Sequence, residues 1–279
     1  MPSFTTLDAK PHEWMQGDTS VLHTVAACHF ASPEHAEHWI NVLVPRNKNG
    51  DFVKWAGGRR KHETRNAFLA ACVDRARDLD FSISCVSSSE GEMNWFAWAF
   101  YFPNRQFIAQ RADAKGRNCL VFELGNGQSV ALPVLRAGYL IWYHNVIRYL
   151  TDGKGIQGKF LSDTFCADEV GPGPGKAMGV GFVNWLLSMS AVKPQISLPT
   201  NDRFRRLDLL SDHFCGLANT VWSGAANESQ ARDFKGFERS RPDLFENVKF
   251  ATNLTVVDEN GVNVTAQVQA AIAKGSIDG

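Results

Sequence analysis

The apolar positions of residues 207–222 recur at helical spacing and form one continuous stripe. The stripe consists of Leu207, Leu210, Phe214, Leu217, Ala218 and Val221. Asp212 falls opposite the stripe, where a solvated helix carries charges, yet the segment contains no Lys, Arg or Glu. We therefore predict a helix that is covered on both sides. Asp212 is then either a site carboxylate or a structural one, because a buried carboxylate needs a compensating partner such as a divalent cation.

The remaining pattern alternates strands with helices. Strands are predicted at residues 3–7, 21–30, 81–86, 159–167 and 195–198, helices at 34–44, 59–79, 139–150 and 176–190, and a hairpin at 120–132. Periodicity leaves residues 95–102 open between strand and helix. The polar segment 223–245 indicates a long excursion or flap, followed by a terminal hairpin over 248–264 and a short helix ending at residue 273. This alternation is typical of an α/β sandwich.

Composition narrows the class of protein. The 279 residues carry 29 basic and 29 acidic side chains, so no global field indicates a nucleic-acid or membrane partner, and any basic surface must be local. Six scattered cysteines without a C-x-x-C pair indicate buried thiols in a reducing compartment. The N-terminal residues show no signal-peptide pattern, and no apolar run reaches membrane-spanning length. We therefore expect a cytoplasmic protein that does not enter a membrane.

Carboxylates follow the predicted strands. Asp8 is predicted to end the first strand, Asp168 and Glu169 follow a central strand, and Asp212 lies on the later helix. Carboxylates that converge in this way can hold one or two Mg²⁺ or Mn²⁺ ions, which activate a water and stabilise the leaving oxygen of a phosphodiester. Asp163 competes with Asp168 and Glu169 for the middle position. The alternative is that Asp8 caps a turn and that Asp168 and Glu169 open a loop.

Three short motifs resemble the RNase H-like superfamily, and more narrowly its branch named domain of unknown function 3800. The motifs are Thr6-Leu7-Asp8-Ala9, Val53-Lys54-Trp55-Ala56-Gly57 before a basic helix, and Leu210-Ser211-Asp212-His213-Phe214-Cys215-Gly216. They resemble the family's first-strand I-D-E-S-G, its short K-G/K-W-S piece and its late-helix L-A-D-x-x-x-G. Ala9-Lys10-Pro11 stands where the family has Glu-Ser-Gly, a departure that would fit a non-catalytic member.

The resemblance implies an RNase H-like mixed sheet flanked by helices over residues 1–222, with residues 223–279 as a C-terminal hairpin and helix elaboration packed on it. It implies a metal-dependent nuclease that cleaves DNA or RNA. The biological context that the resemblance implies is phage defence or mobile elements. Asp8, Asp168 and Asp212 would be the metal ligands, and Glu169 or Asp163 would be auxiliary. The alternative function is a catalytically inactive scaffold that binds a protein, a second copy of itself or nucleic acid.

Basic and imidazole groups complete the candidates. Arg59 and Arg60 open one predicted helix, and Arg205 and Arg206 precede the Asp212 helix, so these four arginines are predicted to hold phosphates. A charge run can equally be a solvated face. The trio His29, His35 and His38 lacks a completing ligand for zinc and is interpreted as surface residues. His213 can be either a proton shuttle or a half-buried polar residue.

Overall fold

The computed structural model describes most of the chain as strands, helices and short connections. The described residues are 4–10, 22–55, 61–114, 116–124, 127, 129–154, 156, 159–162, 175–188, 195–197, 206–252 and 254–275. The strands are β1 (Phe4–Lys10), β2 (Leu22–Phe30), β3 (Ser82–Ser89), β4 (Ile108–Ala112), β5 (Asn118–Glu123), β6 (Ser129–Pro133), β7 (Lys159–Ser162), β8 (Gln195–Ser197) and β9 (Phe245–Val248). The helices are α1 (Pro33–Leu43), α2 (Lys61–Asp74), α3 (Glu90–Tyr101), α4 (Val134–Arg148), α5 (Gly175–Ser188), α6 (Leu209–Trp222), α7 (Glu228–Ser240) and α8 (Thr265–Gly275).

A six-stranded mixed sheet with the order β8-β7-β1-β2-β3-β9 forms the centre of the fold. β1, β2 and β3 pair antiparallel, whereas β7 runs parallel to β1, β8 parallel to β7 and β9 parallel to β3. A separate antiparallel sheet contains β4, β5 and β6. The α/β class predicted from the sequence is confirmed.

Helices cover both faces of the sheet. Leu7, Val25 and Ala27 pack in one apolar cluster with residues of α3 and α4, and Ala26 and Cys28 pack in a second cluster with residues of α1, α2, α6 and α7. Since successive residues of a strand point to opposite faces, this division places one helical layer on each side. Residues 23–30 are therefore all buried, which explains why β2 reads as an almost continuous apolar run.

Local sequence signals account for several elements at their predicted positions. The Ser32 side chain accepts the His35 amide hydrogen and Pro33 begins α1, as the N-cap signal predicted. β5 and β6 form the predicted antiparallel hairpin, and Gly127 in its connection adopts a φ of 77°. Residues 95–102, left open by periodicity, belong largely to α3, because Ser89 and Glu92 form a capping box that starts a helix.

Other boundaries need correction. β1 continues to Lys10, so Asp8 does not end the strand but lies inside it, paired with Ala26. The helix predicted over residues 59–79 ends at Asp74, and its first two residues lie outside the described part of the chain. The strand predicted over residues 159–167 is described only as far as Ser162. β4, on the edge of the small sheet, was not predicted, since most of its side chains are exposed and show no apolar alternation.

The C-terminal region differs most from prediction. Residues 223–245 do not form a flap, because α7 occupies their centre and buries Phe234 and Phe237. Of the hairpin predicted over 248–264, the structure has the turn and an isolated antiparallel bridge between Val257 and Asn263, but the described residues on either side form no further ladder of strands. The closing helix is confirmed as α8. None of the helices in the described part of the chain combines the length and hydropathy that a membrane crossing requires.

Candidate acidic site around α6

α6 is buried along most of its length, including the side opposite its apolar stripe. Every residue from 207 to 218 is buried, and Asp212 is 5 % exposed. The sheet covers one side of the helix, while α2 and the segment 53–55 cover others. The prediction of a helix covered on both sides is confirmed.

The first turn of α6 contacts the centre of the sheet. The hydroxyl oxygens of Thr6 on β1 and Ser211 on α6 lie 2.6 Å apart, although 205 residues separate them in the chain. One turn later, the Cys215 thiol donates to the Thr24 carbonyl oxygen over 3.0 Å. Asp8 lies two residues beyond Thr6 on the same strand, so its side chain points into the same layer as α6. Asp8 is fully buried there.

The segment 53–55 is attached to α6 by two hydrogen bonds. The Trp55 amide donates to Asp212 Oδ2 over 2.7 Å, and His213 Nε2 lies 2.8 Å from the Val53 carbonyl oxygen. The contact with Val53 assigns the imidazole proton to Nε2, because a carbonyl oxygen only accepts. Asp212 thus has a structural bond as well as a candidate site role, and His213 is fully buried rather than half-buried.

Gly216 allows the Trp55 side chain to approach the helix. A Cβ atom built on Gly216 would lie 2.1 Å from Trp55 Cδ1, far inside van der Waals contact. On the outer side of the indole, the Arg65 guanidinium lies 4.9 Å from the ring centroid. Phe68, one turn further along α2, stacks on the His213 ring with a centroid separation of 4.6 Å. The second and third motifs quoted above therefore pack directly against each other.

Three aspartates are buried in this region. Asp8, Asp208 and Asp212 are 0 %, 2 % and 5 % exposed. The Asp208 carbonyl oxygen accepts the Asp212 amide hydrogen, which places the two side chains one helical turn apart. Asp208 was not predicted as a site residue, although its spacing from Asp212 was a usable signal. Burying carboxylates is costly, so each of the three needs polar or positively charged partners at its position.

The three candidates for the middle carboxylate lie outside the described residues: Asp163, Asp168 and Glu169. Within the ranges that are described, no three His, Cys, Asp or Glu side chains lie close enough together to hold a metal ion. Asp8 and Asp212 carry oxygen donors of the kind that Mg²⁺ and Mn²⁺ prefer.

Nearby thiol and imidazole groups do not fit the alternative chemistries. Burial raises the pKa of the Cys28 thiol, which pairs with Thr6 across the strands, to about 12, so it is neither a thiolate ligand nor a nucleophile at neutral pH. Burial likewise lowers the pKa of His29 to about 3, and its ring contacts Thr5 and Ser84. The interpretation of the histidine trio as surface residues is therefore wrong for His29.

The other two members of the histidine trio have ordinary surface roles. The His35 ring lies 2.7 Å from the exposed Asp80 carboxylate, and His38 is exposed on α1. The two rings therefore do not share a ligand with His29, which lies inside the sheet.

The predicted phosphate-binding arginines are only partly described. Arg59, Arg60 and Arg205 lie outside the described residues, and Arg206 is exposed in the turn that precedes α6. Arg206 lies three residues before the start of α6, and its exposure to solvent is compatible with a role in phosphate binding.

A groove of about 1260 Å³ lies elsewhere, between α2 and α7. Its charged lining consists of Arg77, Arg232 and Arg241 together with Asp74 and Asp233, so it carries both signs of charge. This mixture of charges favours no single class of ligand.

Comparison with models of known protein families, with curated proteins and with solved structures finds no significant match to this chain. The proposals below therefore rest on the residues and their geometry, and on the resemblance of the three motifs.

Proposed function

We propose that this chain is a metal-dependent nuclease of RNase H-like architecture, with its site beside the first half of α6. The observation that carries the proposal is the convergence of the three motifs. Thr6 of the first motif contacts Ser211 of the third, and Trp55 of the second bonds to Asp212. Segments that are distant in the chain and share one family pattern thus meet around two buried carboxylates.

The sheet order supports this architecture. β1 is central and carries Asp8, and β7 lies parallel beside it with Ser162 paired to Leu7. Asp163 follows Ser162 in the sequence and is therefore the first candidate for the third carboxylate, with Asp168 and Glu169 next along the chain. Asp8, Asp212 and one of these residues would hold Mg²⁺ or Mn²⁺. Such a cation, when bound, supplies an activated water and charge stabilisation for phosphodiester hydrolysis.

Cleavage assays test the proposal directly. We expect Mg²⁺- or Mn²⁺-dependent cleavage of at least one of four labelled substrates: RNA, single-stranded DNA, double-stranded DNA and an RNA–DNA hybrid. Asp8→Asn and Asp212→Asn should abolish it, and Asp163→Asn should have a larger effect than Asp168→Asn. Asp74→Asn, which changes an exposed aspartate on α2, is the matched control. Cleavage by Asp212→Asn at the unmutated rate would show that Asp212 is not a metal ligand.

A thermal melt tests metal binding without a substrate. A cation that binds only the folded protein raises the melting temperature by mass action. We expect a higher Tm in millimolar Mn²⁺ than in EDTA for the unmutated protein and for Asp74→Asn, but no difference for Asp212→Asn. Equal melting temperatures in both buffers for the unmutated protein would remove the basis for a metal site.

One observation favours the second candidate, a catalytically inactive scaffold of the same architecture. Asp212 Oδ2 already accepts the Trp55 amide hydrogen, a bond that by itself accounts for a buried carboxylate at this position. If cleavage and the metal-dependent melt are both absent, this scaffold becomes the better proposal. Its partner would then be sought among nucleic acids and proteins.

A further inference from the structure

Arg65 occupies an unusual environment beside the acidic site. Its guanidinium stacks over the Trp55 ring at 4.9 Å from the centroid, while the amide of the same tryptophan bonds to Asp212. One tryptophan residue therefore separates the Arg65 cation from the Asp212 carboxylate. Phe68 on the next turn of α2 packs on His213 and holds that helix against α6.

One hydrogen-bond donor of the Arg65 guanidinium has no partner in the described fold. Its Nε atom is buried and has no hydrogen-bond acceptor among the residues that the structure describes. Burial lowers the pKa of the guanidinium from its ordinary value. Arg241 shows the contrast, since it donates to the carbonyl oxygens of Ala76 and Leu79 and pairs with Asp243. Arg65 is stacked and oriented by Trp55, and its guanidinium still carries a donor that the oxygen of an anion can accept.

We propose that Arg65 binds a phosphate group of the nucleic-acid strand held at the acidic site, with Trp55 as the platform that orients its guanidinium. The inference rests on the proposed function, because it takes the substrate to be nucleic acid. It adds a binding residue on α2, stacked on the tryptophan whose amide bonds to Asp212.

The negative charge of the acidic site explains the need for a positively charged side chain such as that of Arg65. A phosphodiester that approaches Asp8 and Asp212 is repelled by their charges, so a positive group beside the site lowers the cost of approach. A guanidinium matches two phosphate oxygens with parallel hydrogen bonds, and stacking on an indole leaves its donor edge available. Contacts of this kind position the strand without reading its sequence.

Binding measurements on the full chain test Arg65 separately from cleavage. The probes are labelled single-stranded DNA and RNA oligonucleotides with cleavage-resistant phosphorothioate linkages, measured by fluorescence anisotropy in Mn²⁺ from low to physiological salt. We expect Arg65→Gln to weaken binding by about tenfold and to reduce the slope of log Kd against log salt by about 0.7, since one phosphate contact with a single strand is lost. Arg65→Lys keeps the charge and should restore the slope.

Arg77→Gln is the control, because Arg77 is exposed near the far end of α2. A purely structural role for Arg65 predicts lower melting temperatures for Arg65→Gln and Arg65→Lys with an unchanged salt slope, and this result would overturn the proposal. Absence of oligonucleotide binding by the unmutated protein would also overturn it. Cleavage with an Arg65-independent slope would remove only the role of Arg65. Arg65-dependent binding without cleavage of ordinary substrates would remove only the nuclease.

Discussion

Substitution of Gly216 by alanine tests the contact between the second and third motifs. The added Cβ would lie 2.1 to 2.3 Å from three atoms of the Trp55 ring, so the indole must move. Trp55 is 4 % exposed and its amide donates to Asp212, so displacement of the ring also strains the segment 53–55. The expected result is a large loss of stability from a single added methyl group.

The size of the expected change in the free energy of unfolding follows from effects of opposite sign. Alanine in place of glycine in a helix interior favours folding by about 1 kcal/mol. Overpacking of the Trp55 ring costs about 1 to 3 kcal/mol, and loss of a hydrogen bond to a charged group costs about 1.5 to 3 kcal/mol. Gly216→Ala should therefore lower the free energy of unfolding by about 1.5 to 5 kcal/mol.

Urea denaturation followed by circular dichroism measures the change, with Gly236→Ala as the matched control. Gly236 also lies inside a helix, α7, but a Cβ there meets nothing within 4 Å. The control should therefore stabilise the protein by about 0.5 to 1 kcal/mol. If Gly216→Ala unfolds at the same urea concentration as the unmutated protein or the control, the close contact with Trp55 does not constrain the site.

Three further outcomes are expected from equilibrium denaturation. Asp212→Ala should lower the free energy of unfolding by about 2 kcal/mol or more, because the buried Trp55 amide loses its acceptor. Asp212→Asn should lower it by less than half of that, because the oxygen of the asparagine amide still accepts the hydrogen bond. Equal losses for the two variants would contradict this reasoning. Burial lowers the pKa of His144 in the folded protein from 6.5 to about 4. Between these two pH values the unfolded chain binds a proton that the folded protein does not, so the free energy of unfolding falls as the pH drops from about 6.5 towards 4. His144→Phe should reduce that slope by up to about 1.4 kcal/mol per pH unit, and an unchanged slope would exclude His144 as its source. Asn227→Ala should destabilise the protein by about 1 kcal/mol, because the Asn227 side chain accepts the Gln230 amide hydrogen at the start of α7. A change in the free energy of unfolding below about 0.3 kcal/mol would show that this helix cap is dispensable.

Elements with strong local signals were predictable. β2 is apolar throughout because helices cover both faces of the sheet, and α1 begins where Ser32 and Pro33 supply a cap and a fixed φ. α6 was predictable as a buried helix because charged residues other than aspartate are missing from its polar side. In each case the information lies within one segment of the chain.

Elements that depend on a distant partner were mispredicted. α7 is mostly polar, and its helical state is stabilised by burial of Phe234 and Phe237 against a cluster formed by other parts of the chain. β9 was not predicted, because its residues fall where the predicted flap ends and the predicted hairpin begins, and its partner β3 lies about 160 residues earlier. A local pattern does not reveal a strand partner at that separation.

The candidate site shows the same division. The sequence by itself determined that a first strand leads to Asp8 and that Asp212 lies on a helix without solvated charges, whereas the position of Asp8 inside β1 needed the structure. Only the tertiary structure decided that Thr6 meets Ser211, that Trp55 seats on Gly216 and bonds to Asp212, and that Arg65 stacks above that ring. The physical reason is that burial follows from side-chain composition within a segment, whereas a hydrogen-bond or stacking partner depends on how segments 157 or 205 residues apart are packed together.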